Sequence, residues 1–190
     1  MKPTHWRRSA AGFAAAAALL AAPAAGAWEL AGKHTIRLHP RSGEPVAIGT
    51  VEFRPAGDRL AFVLHLDHGR FKDFFLSMRE LKCLEGQGEI QCHVSYPYRH
   101  PGTVTANDLA WLEHSLLFLF KSPSEFGARL WNGIYYKLQV TPNGLVGMPQ
   151  AVDLNQIGAP PADLATPPFG PGERSDIPSG ARWFGKLTVD

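Results

Sequence analysis

The chain has 190 residues, of which 45% are hydrophobic and 19% are charged, with 19 lysine and arginine residues against 17 aspartate and glutamate residues. Three of the basic residues lie in residues 1–27, which contain no acidic residue, so residues 28–190 carry 16 basic and 17 acidic side chains. A nearly neutral chain without a lysine or arginine run offers no electrostatic footprint for nucleic acid or for an anionic membrane surface. We therefore expect no nucleic-acid partner.

Residues 1–27 have the pattern of a secretory signal peptide. Basic residues precede an alanine-rich apolar run that is too short to span a bilayer, and the final Ala-Gly-Ala fits the small-residue pattern accepted by signal peptidase. Arg7 and Arg8 leave the twin-arginine export route open beside the general secretory route. The sequence predicts one domain over residues 28–190, located in the periplasm or secreted, with no transmembrane segment after cleavage.

Most of the remaining sequence has the pattern of β-strands. In the first such segment Ile36 and Leu38 share one face and Arg37 and His39 share the other, which is the alternation of a half-buried strand. Turn sequences such as "RPAGDR" and "TPNG" connect neighbouring segments and predict hairpins. The eight predicted strands cover residues 34–39, 46–53, 60–67, 74–84, 89–96, 134–140, 145–154 and 182–190.

One helix is predicted over about residues 105–121. Leu109, Leu112 and Leu116 recur there at helical spacing, and Thr105 is a suitable N-cap residue. Other apolar residues widen the hydrophobic stripe beyond one face, so this helix should be covered on most sides by the sheet.

Residues 158–181 are rich in proline and glycine and predict an extended surface connection, since such a stretch cannot form a helix or a central strand. We expect the terminal segment 182–190 to pair with the first strand and close the sheet, because closure removes exposed strand edges. The predicted fold is mainly β, with about eight antiparallel strands in a small barrel or strongly curved sheet. This architecture is similar to a lipocalin-like (calycin-type) barrel, although the lipocalin G-x-W signature is absent, since Trp28 precedes Gly32.

Both cysteines of the chain, Cys83 and Cys92, lie in two neighbouring predicted strands. The eight residues between them contain Gly86 and Gly88, which suit a tight connection that places the two sulfur atoms opposite each other. Neither a Cys-x-x-Cys motif nor a paired zinc-ligand pattern is present. In an exported protein the pair predicts a structural disulfide.

The segment "SYPYRHPG", which follows the second cysteine, combines aromatic rings with cationic side chains on a proline-stiffened stretch, and "RLWNGIYY" repeats this mixture. Such side chains form contact surfaces at low cost in conformational entropy. A buried Arg79 lining a cavity would favour an anionic ligand. The candidate ligand-binding residues are Arg79, Tyr96, Tyr98, Arg99, His100, Trp131, Tyr135 and Tyr136.

Catalytic alternatives have weaker sequence support. His65 and Asp67 share one strand face and, with His93, offer a possible metal site, although they also fit an ordinary polar face. Glu113 and His114 are adjacent on the predicted helix, where neighbouring side chains point about 100° apart. HExxH, GxSxG, P-loop and GxGxxG motifs are absent, so the sequence predicts no cofactor.

The leading functional hypothesis is an exported, non-catalytic protein. It would bind a small apolar or amphipathic ligand, or a cell-envelope protein, through an aromatic and arginine-rich rim. A periplasmic hydrolase or metalloenzyme based on histidine and aspartate, and a protein-interaction or inhibitor module, are the two alternatives.

Overall fold

The computed structural model describes residues 28–76 and 79–190, apart from the side chain of Arg79. The predicted signal peptide, residues 1–27, lies outside the described residues. Within the described ranges no helix is long and apolar enough to cross a membrane.

The described residues form one antiparallel sheet of 12 strands and one α-helix. The strands are β1 Gly32–Pro40, β2 Val46–Ala56, β3 Arg59–Leu66, β4 Lys72–Leu76, β5 Arg79–Gly86, β6 Glu89–Val94, β7 Thr103–Val104, β8 Leu117–Lys121, β9 Gly133–Thr141, β10 Gly144–Val152, β11 Ser175–Asp176 and β12 Phe184–Val189, and the helix is α1 Ala110–Ser115. The strand order is β4-β5-β6-β8-β9-β10-β12-β1-β2-β3-β7, with β11 paired to β10, and the sheet is not closed. The prediction of a mainly β fold is confirmed, whereas the predicted count of eight strands and the predicted closure are wrong.

The sheet is open because its two end strands, β4 and β7, do not pair with each other. Along its outer edge β3 pairs only with the two-residue strand β7, and the backbone N–H of Phe62 then donates to the carbonyl of Gly102 at 3.0 Å. The chain that leaves β6 contains Pro97 and Pro101, which have no N–H to donate to a neighbouring strand. These prolines explain why the segment facing β3 does not complete the sheet.

The terminal strand β12 lies in the interior of the sheet. It pairs with β1 as predicted, with Leu38 opposite Leu187 and Ile36 opposite Val189, and its other edge pairs with β10. The strand therefore joins two halves of an open sheet and does not close a barrel.

The predicted helix over residues 105–121 is wrong over most of its length. Only Ala110–Ser115 is helical, and Asp108 accepts a hydrogen bond from the Ala110 N–H at 3.3 Å. The apolar residues that follow form β8, between β6 and β9. A short run that is apolar at every position also suits a strand covered on both faces, and the sheet provides that environment.

The predicted strand over residues 74–84 is two antiparallel strands, β4 and β5, which pair from Lys72 opposite Cys83 to Leu76 opposite Arg79. Gly88, at φ +77°, then forms the turn from β5 to β6 with Gln87. This hairpin places Cys83 opposite Cys92, and the predicted disulfide between them is confirmed.

Two apolar clusters lie on opposite faces of the sheet, here called the inner and outer faces. Side chains of β8 and β9 alternate between the clusters, because successive residues of a strand point to opposite faces. Phe118 and Tyr136 pack into the larger, inner cluster, together with Leu112 of α1. Leu119 and Tyr135 pack into the smaller, outer cluster.

The proline-rich connection covers part of the outer face. Phe169, within this connection, is only 2% exposed and belongs to the outer cluster, as does Ile157, immediately before the connection. Residues 158–181 are therefore more than a surface connection, because they supply part of the second apolar layer. This layer is what allows β8 and β9 to be apolar on both faces.

Removing the disulfide should destabilise the protein without changing the strand order. A closed loop of about ten residues corresponds to about 2.7 kcal/mol in the chain-entropy description of cross-links. We expect the free energy of unfolding of the Cys83→Ala/Cys92→Ala variant, measured by urea titration at neutral pH, to be lower than that of the wild type by about this amount. A loss below about 1 kcal/mol would contradict the assigned stabilising role of the loop closure.

Deleting residues 184–190 should abolish cooperative unfolding, because both β1 and β10 lose their common partner and three buried apolar side chains leave the inner cluster. Calorimetry measures this directly. Thr188→Ala, which changes a side chain on the outer face of the same strand, is the control and should retain a single cooperative transition. A truncated protein that melts within a degree or two of the intact one would show that β12 is dispensable.

Candidate functional site

Three of the predicted ligand-binding residues lie together where the chain leaves β6. The ring centroid of Tyr96 is 5.7 Å from that of Tyr98 and 6.1 Å from that of His100. His100 stacks at 5.2 Å on Trp111 of α1 and at 6.0 Å on Phe62 of β3, with interplanar angles below 20° in both pairs. These five residues, here called the aromatic seam, connect the segment after β6 to β3 and to α1.

A cavity of about 310 Å³, the seam cavity, lies between β3, the end of β6 and the end of α1. Phe62 and Leu64 of β3 line one side, and His93 and Tyr96 line the other. Ser115, at the end of α1, also contributes to the lining. The cavity volume is at the lower end of the range of about 300–1,000 Å³ that is typical of small-molecule sites.

Tyr96, which lines this cavity, carries an unusual polar group, its hydroxyl. It is buried and makes no hydrogen bond to any described residue. A buried hydroxyl without a partner costs about 1–3 kcal/mol, so native proteins seldom keep one without a reason. A bound molecule with a hydrogen-bonding group would provide the missing partner.

The titratable side chains of the cavity are uncharged at neutral pH. Burial lowers the pKa of His93 and of His100 and raises the pKa of the Tyr96 hydroxyl. The Nε2 atom of His93 is 3.1 Å from the carbonyl oxygen of Ser115, which places this histidine in a hydrogen bond already. The cavity is therefore an apolar environment with neutral hydrogen-bonding groups.

The adjacent Glu113 and His114 have structural roles. His114 is fully buried, its Nδ1 lies 2.7 Å from the carbonyl of Ala110, and its Nε2 accepts a hydrogen bond from the Phe169 N–H at 3.1 Å. Burial lowers the pKa of His114 to about 4. Both ring nitrogens are occupied, so this histidine attaches the outer layer to α1 and has no free nitrogen for proton transfer.

The remaining predicted residues lie apart from the seam cavity. Arg99 is exposed, and Trp131 is 60% exposed on another loop, where Arg129 lies 5.8 Å from its ring. Tyr135 and Tyr136 are buried on opposite faces of β9, and each donates its hydroxyl proton within the protein, to Glu113 and to the Phe184 carbonyl respectively. The side chain of Arg79 is not among those described.

The predicted metal-binding residues do not form a cluster. His65 and Asp67 are exposed on and after β3, and Asp67 accepts from the Gly69 N–H at 3.1 Å. In the described part of the chain, no three histidine, cysteine, aspartate or glutamate side chains form a group that could hold a metal ion.

Sequence reasoning missed Phe62 and Trp111, which hold His100 in place. Both occur in apolar segments of a strand and a helix, where aromatic residues are ordinary core residues. No local signal identifies them, because their contact with His100 arises only when β3 and α1 approach the end of β6.

Comparison with known proteins adds no relative: no protein-family model, no curated protein and no solved structure matches this chain. The assignment of function therefore depends on the geometry described above.

The buried His114 should make the stability of the protein dependent on pH. Its folded pKa of about 4 is below the value of 6.5 for an unperturbed histidine, so on acidification the unfolded state takes up a proton before the folded state does. This contribution to stability is complete above pH 6.5 and is lost as the pH falls. Between pH 7.5 and pH 5 it amounts to about 2 kcal/mol.

Urea unfolding of wild type and of His114→Gln at these two pH values measures the effect. The wild-type free energy of unfolding should fall by about 2 kcal/mol more than that of the variant. His65→Gln, which removes an exposed histidine, should fall like the wild type. Equal decreases for wild type and His114→Gln would show that His114 is not the responsible group.

Proposed function

We propose that this protein is an exported, non-catalytic binding protein, periplasmic or secreted, that holds a small neutral amphipathic molecule in the seam cavity. The observation that carries this proposal is the buried Tyr96 hydroxyl without a partner. The disulfide is consistent with an oxidising compartment outside the cytoplasm.

The walls of the cavity define the chemistry of the ligand. Aromatic and aliphatic side chains from Phe62, Leu64 and Tyr96 favour an apolar body, and flat rings suit an aromatic or planar one. The neutral state of His93 and His100 disfavours a ligand that depends on an ion pair. The Tyr96 hydroxyl can donate one hydrogen bond to a carbonyl or similar acceptor on that body.

Rigidity of the surroundings supports binding without a large conformational change. The stacking of His100 with both Phe62 and Trp111 holds the loop that carries Tyr96. The disulfide fixes the register of β5 and β6 immediately before this loop. A preorganised cavity loses less conformational entropy when it binds a ligand.

Acetophenone and α-methylstyrene are suitable probes, because they share a planar shape and differ only in a carbonyl oxygen replaced by a methylene group. Binding is measured from the ¹H–¹⁵N chemical shifts of Ser95, Tyr96 and Ser115. We expect acetophenone to bind more tightly to the wild type, and Tyr96→Phe to weaken acetophenone binding about fivefold while leaving α-methylstyrene binding unchanged.

Tyr98→Phe is the matched control, since it removes the same hydroxyl group from a residue that does not line the cavity. It should leave both affinities unchanged. Without a probe, Tyr96→Phe should be as stable as the wild type or more stable, because it removes an unsatisfied buried group. Absence of binding by both probes, or equal acetophenone affinity for wild type and Tyr96→Phe, would refute the proposal.

A further inference from the structure

A groove of about 710 Å³, the basic groove, lies on the outer face of β9, β10, β12 and β1. The chain segment 176–182 forms its wall, and the outward side chains of the four strands form its floor. It shares no lining residue with the seam cavity, so it is an independent candidate site.

The strand register builds a row of four side chains across the floor. Lys137 of β9 lies opposite Met148 of β10, and His39 of β1 lies opposite Lys186 of β12. Because Gly147 pairs with Leu187, the antiparallel register places Met148 beside Lys186. An exposed methionine, 53% accessible, is thus flanked by two ammonium groups.

The groove lining carries more basic than acidic side chains, although residues 28–190 as a whole are almost neutral. Asp176 is the single acidic residue among those that line it, and its carboxylate accepts a hydrogen bond from Gln150 at 2.7 Å. A concave surface with charges of one sign raises the local concentration of oppositely charged solutes. The cationic lining residues are Arg41, Lys137, Arg182 and Lys186.

Three of these cations already have partners. Arg41 donates to the Gly180 carbonyl at 3.0 Å, Lys137 lies 3.1 Å from the carboxylate of Glu113, and Arg182 lies 3.3 Å from the carboxylate of Glu89. These contacts hold the side chains in place and neutralise part of their charge.

Lys186 lies on the strand floor, and among the described residues it takes part in no ion pair within 4.0 Å. Arg41, which follows β1, also lacks an ion pair there, but its guanidinium is held by the Gly180 carbonyl. Its cross-strand neighbour His39 is bonded to Thr188 at 2.8 Å, and burial together with the charge of Lys186 lowers the pKa of this histidine. His39 is therefore uncharged at neutral pH, and the ammonium group of Lys186 is the free cation of the groove floor.

We propose that the basic groove binds an organic anion with an apolar body, such as an aliphatic carboxylate. The acid group pairs with Lys186, and the apolar body covers Met148, whose flexible thioether side chain adapts to ligands of different shape. Pro40 and Pro178 add further apolar surface at the groove walls. Small inorganic anions should bind more weakly, because they make no apolar contact with Met148. Neutral lipids should also bind more weakly, because they leave the ammonium group of Lys186 unpaired.

Sodium octanoate, acetate and 1-octanol separate the contributions of charge and apolar body. Binding is followed through the ¹³C-methyl signal of Met148 at low ionic strength. We expect octanoate to saturate this signal, and acetate and 1-octanol to bind at least fivefold more weakly. Equal binding of octanoate and octanol would overturn the requirement for an anion, and equal binding of octanoate and acetate would overturn the requirement for an apolar body.

Lys186→Gln should weaken octanoate binding about fivefold, because it removes the charged donor, and Lys186→Arg should retain binding. Lys33→Gln is the matched control, since it removes one charge from an exposed residue of β1 that does not line the groove. It should leave the affinity unchanged. No response of Met148 to octanoate in the wild type, or equal weakening by Lys186→Gln and Lys33→Gln, would refute the proposal.

Discussion

The buried carboxylate of Glu113 connects the helix to the sheet, and both candidate sites depend on this connection. It is fully buried and accepts hydrogen bonds from the hydroxyl of Tyr135 and, at 2.7 Å, from the backbone N–H of Leu138, and it pairs with Lys137. A buried carboxylate without such partners would cost several kcal/mol. The same helix presents Trp111 to the aromatic seam, and the same lysine lines the basic groove, so one interaction positions parts of both sites.

The second constraint is that the apolar side chains on both faces of the open sheet must be covered. On the inner face, side chains from several strands of the sheet pack against one another and against α1. The outer face of β5, β6, β8 and β9 is covered by the chain that follows β10. The hydrogen bond between Phe169 and His114 joins this layer to the helix. Where the outer layer ends, the polar floor of β9, β10, β12 and β1 remains accessible and forms the basic groove. The two sites therefore differ in chemistry: one is a neutral cavity between β3, the end of β6 and α1, and the other is a charged surface beside the covering segment.

The sequence predicted those elements whose pattern is local. Alternation identified β1, β2, β3, β9, β10 and β12, and the spacing of Cys83 and Cys92 identified a disulfide across a tight turn. Prediction failed at residues 117–121, because a continuous apolar run satisfies both a buried helix and a strand that is covered on two sides. Tyr96 and His100 were predicted to bind a ligand from the composition of their segment, and they line the seam cavity. Tyr135 and Tyr136, which look the same in the sequence, are buried in the two clusters.

By itself the sequence determined that the protein is mainly β and that its cysteines pair, because these features follow from side-chain periodicity and short-range geometry. The pairing of its last strand with its first was predicted from the need to cover strand edges and not from any local pattern. Only the tertiary structure decided that the sheet stays open, since this depends on whether its end strands, β4 and β7, come together. It also decided which polar residues converge: His39, Lys137 and Lys186 come from three distant segments and become neighbours only through strand register. Such convergence has no signature in the linear chain, because the register of non-adjacent strands is set by the packing of the whole core.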